Sequence, residues 1–262
     1  MKNKQSLSAL TCIAIGLTIA LSASIAIAQG TPATAPAKPS IVLVHGAFAD
    51  GSGWSHVIPL LEKEGYTVTA VQNPLTSFEA DVETTKRLVA AQPGPVVLVG
   101  HSYGGAVITA ASVGMNNIKA LVYVAAFGPD SGEVVGPLLE KYPSLIATSL
   151  VPDAAGYLYI DRAKFNDVFA KDVNPTEQRV MAATQKPINS VIFGQVFGTP
   201  GWKTIPSWFV VAKQDNNINP DMQRMFAARM KAKTSEVTSS HVPFISKPDV
   251  VAKVILEAAN SK

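Results

Sequence analysis

Residues 96–107 read V-V-L-V-G-H-S-Y-G-G-A-V, with Gly100, His101, Ser102, Tyr103 and Gly104 forming a G-x-S-x-G pentapeptide. A branched aliphatic run stops at Gly100, a serine follows, and an apolar segment with helical periodicity begins at once. A strand turning straight into a helix at this spacing forces the serine into a strained backbone conformation. Flanking glycines let the neighbouring backbones pass close by. The stretch reads as a nucleophile elbow, with the Ser102 hydroxyl held clear at the carboxyl end of the strand.

Outward from the elbow, short runs at Ile41–Val44, Tyr66–Val71, Val96–Gly100, Ile118–Ala125, Trp208–Ala212 and Thr234–Thr238 are predicted as strands. Helical patterns separate them. One covers Trp54–Glu64, and another runs over approximately Glu79–Ala91 behind a cap at Thr76 or Ser77. Ser102–Val113 leaves the elbow, Pro220–Met230 has Asn219 as its cap and Asp221 in its first turn, and Pro248 opens the last, to Ala259. Strands alternating with helices, each strand read as apolar throughout, predict an α/β class: a doubly wound, mainly parallel six-stranded sheet covered on both faces.

The alternation fails over approximately 131–205, where prolines recur and no clear β-run stands out. The segment holds eight of the chain's aromatics, Tyr142, Tyr157, Tyr159, Phe165, Phe169, Phe193, Phe197 and Trp202, most of them expected to pack it onto the core. An insertion after a strand of such a sheet lies above the carboxyl edge, where ligands bind, so a small helical cap is expected.

Length fits one domain with an insertion, here 41–262. Residues 1–28 read as a secretory signal: Lys2 and Lys4, an apolar run, then Ala26-Ile27-Ala28 as a cleavage site before Gln29. A retained membrane anchor is the alternative. Residues 29–40, rich in Pro, Ala and Thr, read as a linker. Cys12 is the only cysteine and lies in the signal, so the mature chain has neither disulfide nor thiolate metal site, as suits a secreted or periplasmic protein. Without Lys2 and Lys4, the 22 basic residues fall to 20 against 19 acidic ones. No basic stripe points to nucleic acid, and no membrane partner is expected after signal cleavage.

A serine nucleophile needs a base within reach and an acid to orient that base. His241 directly follows the last strand and is the expected base. His45 belongs to the loop after the first strand, His101 points away from Ser102, and His56 reads as a surface residue. In chain order the acid precedes the histidine. Asp215 fits that place, with Asp130 as the alternative. The oxyanion would take backbone N–H groups from Tyr103 and from the loop after the first strand, Ala47 ahead of Phe48. No metal motif is present, and the glycines at 51–53 lack a phosphate-loop pattern, so no cofactor is expected.

The texts L-V-H-G-A-F, V-G-H-S-Y-G-G, I-N-P-D-M-Q after Asp215, and S-S-H-V-P-F-I-S-K-P resemble the α/β-hydrolase superfamily, over essentially all of Ile41–Ala259. Within it, they are similar to the small esterase branch that includes plant methyl esterases, hydroxynitrile lyases and bacterial carboxylesterases. The resemblance implies Ser102, Asp215 and His241 as a triad, Ala47 and Tyr103 as oxyanion donors, and a small-molecule ester as substrate. The related lyases carry threonine and lysine where this chain has Gly46 and Val242, which favours ester cleavage. Lyase chemistry, cofactor-free oxygenation and a non-catalytic receptor are the alternatives.

Overall fold

The computed structural model describes residues 38–261; the signal, Cys12 and most of the linker lie outside them. The strands β1 (Ser40–Val44), β2 (Val68–Val71), β3 (Val96–His101) and β4 (Ile118–Val124) alternate with α1 (Ile58–Lys63), α2 (Phe78–Ala90) and α3 (Tyr103–Ala111). The insertion follows. It comprises α4 (Val135–Lys141), β5 (Leu150–Pro152), β6 (Tyr157–Ile160), α5 (Phe165–Phe169), α6 (Pro175–Thr184) and β7 (Ile188–Asn189). The chain then returns through β8 (Ser207–Ala212), α7 (Pro220–Arg229), β9 (Lys233–Val237), α8 (Pro243–Ser246) and α9 (Pro248–Ala259).

The main sheet has the order β2-β1-β3-β4-β8-β9, and every pairing in it is parallel. Residues of β1, β3 and β8 are buried throughout, as continuous aliphatic runs require when helices cover both faces. Helix α9 packs across β3, β4 and β8, while α2 and α3 pack together over β1 and β3. On α9 the buried face is Val251, Val254, Ile255 and Ala258, with Val251, Val254 and Ile255 each stabilising the fold by about 1.5–3 kcal/mol. Edge strand β9 reads K-T-S-E-V and exposes charge, which discourages pairing with another sheet edge.

From β1 the chain moves outward to β2, then returns to place β3 on the other side of β1. That reversal opens a crevice at the carboxyl ends of β1 and β3. The loop at 45–48 and the elbow at 100–104 therefore face each other across it.

Two expectations need correction. The single helix expected at Trp54–Glu64 is a 3-10 turn at Gly51–His56 followed by α1. Pro59 cannot donate a backbone hydrogen bond, so the helix restarts there. The cap is not purely helical, because β5, β6 and β7 form a three-stranded antiparallel sheet. Asp153 turns the β5–β6 hairpin by accepting from the N–H groups of Ala155 and Tyr157, both at 2.9 Å, and Gly156 supplies φ 82°. Strands of two to four residues carry too little periodicity to stand out.

Candidate active site

Ser102 sits between β3 and α3 with φ 53° and ψ −125°, a strained conformation for any residue with a side chain. Three backbone bonds hold it. Its N–H donates to Val124 O at 3.2 Å, and its carbonyl accepts from Gly105 N at 2.9 Å and Phe127 N at 3.0 Å. Gly104 makes the turn possible, since a Cβ there would lie 2.5 Å from Val44 O.

The loop after β9 brings His241 to the same edge, and the loop after β8 brings Asp215. Nδ1 of His241 donates to Asp215 Oδ2 at 2.7 Å, with both side chains fully buried. Asp215 Oδ1 accepts from the N–H groups of Asn217 and Ile218 at 2.7 and 2.9 Å, and Gln223 Nε2 donates to Oδ2 at 2.8 Å. A carboxylate with this many donors is held in one orientation. Nε2 of His241, across the ring from Asp215, is buried and has no partner among the described residues. It is the atom that would take a proton.

Asp130 lies elsewhere, bound to Lys203 Nζ at 2.6 Å on a partly exposed surface. His56 is exposed and pairs with Glu177 at 3.1 Å. Buried His45 shapes the loop: its Nε2 accepts from Asn73 N at 2.9 Å while Nδ1 donates to Gly46 O at 2.7 Å. Burial lowers its pKa to about 4, outweighing the opposing pull of the Gly46 carbonyl.

Ala47 and Tyr103 border the same cavity as Ser102. Their backbone N–H groups donate to no acceptor among the described residues. Gly46 lies against Ser102 so closely that a Cβ there would be 2.6 Å from Ser102 Cβ. Ala47 is thereby drawn beside the hydroxyl. Phe48, the next residue, has φ 59°.

Several supporting residues were missed by sequence reasoning. Buried His101 donates Nε2–H to the backbone carbonyl of His241 at 2.9 Å. Burial pushes its pKa well below the ordinary histidine value, and neighbouring His241 adds to that. Tyr103 Oη donates to buried Asp81 Oδ2 at 2.7 Å. Burial raises the Asp81 pKa despite the bonds from Tyr103 and Leu75 N–H. Asp172, after α5, accepts from Ser240 Oγ and so ties the cap to the residue before His241. Phe169 of α5 packs edge-on against the His241 ring, centroids 4.9 Å apart. Apart from the S-S-H text beside His241, these partners carry no local motif.

Ser102 opens into a narrow cavity of about 30 Å³ between the sheet edge and the cap. Its walls are mostly apolar, including Phe127, Val135, Leu139, Ile146, Ile192 and Phe193, with Asn217 among them. Of the eight cap aromatics, Phe193 is the one that borders this cavity. A second groove of about 160 Å³ lies behind Phe48, between the loop after β1 and α6. Among the described residues no group of three or more His, Cys, Asp or Glu side chains is placed to hold a metal.

A family model described as "Alpha/beta hydrolase family" matches residues 41–254. Methylesterase 2 of Arabidopsis thaliana is 26% identical over 86% of this chain and 97% of its own length. An alpha-hydroxynitrile lyase of the same plant is 36% identical over 40% of this chain and 46% of its own. Among solved structures, a pyrethroid hydrolase from Sphingobium faniae JZ-2 superimposes with a TM-score of 0.73 at 23% identity, covering 85% of this chain and 98% of that one. With strand order, elbow and family match in agreement, the chain belongs to the alpha/beta hydrolase family.

Proposed function

We propose that this hydrolase is an exported serine carboxylesterase cleaving small-molecule esters through an acyl-enzyme. The observation that carries the reading is the buried His241–Asp215 pair at 2.7 Å, on the same sheet edge as strained Ser102. His241 Nε2 takes the Ser102 proton as Oγ bonds to the ester carbonyl carbon. The oxyanion that forms is held by the N–H groups of Ala47 and Tyr103. Its collapse breaks the bond to the alkoxy oxygen, which leaves as the alcohol with the proton from His241. Water, deprotonated by the same nitrogen, then attacks the acyl carbon, and Ser102 regains its proton as the acid departs. Asp215 keeps Nδ1 protonated and balances the imidazolium throughout.

The apolar lining of the cavity supports an ester with a hydrocarbon portion. The methylesterase relatives support the same substrate class. The space at Gly46 supports ester cleavage over lyase chemistry, because a threonine would strike Ser102, and Val242 is fully buried where the lyases carry lysine. Residues 1–28 support export to the periplasm or medium, with a mature chain beginning at Gln29.

Treating the folded protein with a fluorophosphonate and mapping the adduct tests the reading. The expected outcome is one adduct, on Ser102, with loss of esterase activity. A folded protein left unlabelled at Ser102 overturns it. The N-terminal sequence of the exported protein tests the cleavage site.

A further inference from the structure

Asn217 stands two residues after Asp215, is 6% exposed and borders the catalytic cavity. Its backbone is fully engaged: N–H donates to Asp215 Oδ1 at 2.7 Å, and the carbonyl accepts from Ser144 Oγ at 2.7 Å. These two bonds fix the residue against the Asp215 turn on one side and the cap on the other. Its side-chain amide has no hydrogen-bond partner among the described residues. The other side chains with polar atoms at this cavity are Ser102, the nucleophile, and Tyr103, whose hydroxyl is already bound to Asp81. The amide has no partner from the protein and is not cut off from water, so when the cavity fills a polar atom of the occupant can take that water's place.

We infer that Asn217 selects the substrate: its amide hydrogen-bonds a hydroxyl or carbonyl oxygen carried apart from the scissile ester. The preferred substrates are then hydroxy or oxo esters rather than plain hydrocarbon ones. The carboxamide matches either oxygen, since Nδ2 donates and Oδ1 accepts. A site built around such a bond discriminates against the analogue lacking the oxygen, because the amide is then left unpaired. This inference rests on the ester-cleaving reading, but its binding consequence does not depend on turnover.

The test uses matched esters of equal chain length, one plain, one with a hydroxyl and one with an oxo group. kcat/KM is measured for the whole protein and for Asn217→Leu, and Kd for the same esters on Ser102→Ala. The expected preference for at least one oxygenated ester is roughly 10-fold or more in both measurements, and Asn217→Leu abolishes that ratio whatever its rate on the plain ester. Unchanged fluorophosphonate labelling of Asn217→Leu shows that its nucleophile is intact. Should that variant not fold, Asn217→Thr serves, with the preference reduced. Equal handling of all three esters by the unmodified protein, or a uniform loss on all three in Asn217→Leu, overturns the inference. If no ester is cleaved yet Ser102→Ala still binds the oxygenated ones preferentially, the esterase reading fails and the role of Asn217 stands.

Discussion

The imidazole of His101 donates Nε2–H to the backbone carbonyl of His241 at 2.9 Å, so the residue beside the elbow serine holds the proposed base in place. The two rings lie 4.6 Å apart, and Phe244 packs on His101 from another side at the same spacing. The x of G-x-S-x-G is therefore a strut for the histidine loop. Replacing it with phenylalanine keeps the aromatic packing and removes the donor.

For His101→Phe the expected result is a fall in kcat of about 10- to 100-fold with KM changed little, because misplacing a catalytic group costs rate more than binding. His101→Gln, whose amide can also donate, restores part of the loss. Steady-state kinetics of the two variants decide the matter. A His101→Phe enzyme with unaltered kcat refutes the strut.

Gly46 is confined by Ser102. A Cβ at this position would stand 2.6 Å from Ser102 Cβ and 3.2 Å from its Oγ, and neither can retreat without moving the elbow. Gly46→Ala is expected to lower kcat/KM by about 100-fold or more and to destabilise the fold by about 1–3 kcal/mol. Activity assays and denaturant unfolding measure the two effects; full activity would mean that the loop yields easily.

Gln223 links three parts of the site. Nε2 donates to Asp215 Oδ2 at 2.8 Å and to Ile218 O at 2.7 Å, while Oε1 accepts from Ala212 N at 3.0 Å. Gln223→Leu has similar volume but leaves buried groups unpaired, which predicts about 1–3 kcal/mol of lost stability and reduced kcat. Urea unfolding beside kinetics checks both. Wild-type stability in this variant would show that the amide is dispensable.

Histidine burial sets an acid limit. The His45 pKa falls from 6.5 to about 4, and that of His101 is also pushed well down. As pH drops below about 6.5 the unfolded chain takes up these protons while the folded protein does not. Stability is thus fully present above that pH and is lost between about 6.5 and about 4, by up to about 1.4 kcal/mol per pH unit for each histidine. Unfolding curves across this range should show the slope, and His45→Gln should flatten it. An unchanged slope in that variant assigns the acid loss to other groups.

What was legible in the sequence had a local cause. The inner strands β1, β3, β4 and β8 showed because burial on two faces demands continuous aliphatic runs. Asn219 and Ser77 showed as helix caps because capping is read within three residues, and each accepts the bond expected of it, from Asp221 N at 2.9 Å and Ala80 N at 3.1 Å. Asp215 and His241 could be picked out because each follows a strand at the sheet's carboxyl edge. His101, Gln223 and Asp81 could not, since their contacts are with partners brought near by folding. Thus His101 and His241 are 140 residues apart in the chain. Phe169 looked like any other cap aromatic until α5 set it on the His241 ring.

The claim at the centre of this account is that Ser102 carries the acyl group between two half-reactions. Quenching the enzyme in acid during turnover of a p-nitrophenyl ester and weighing the intact protein tests it most directly. The account predicts a mass increase equal to the acyl group, mapped to Ser102 and absent from Ser102→Ala, which should lose about 10⁴-fold or more in kcat. Turnover by Ser102→Ala at a rate near that of the unmodified enzyme would contradict it.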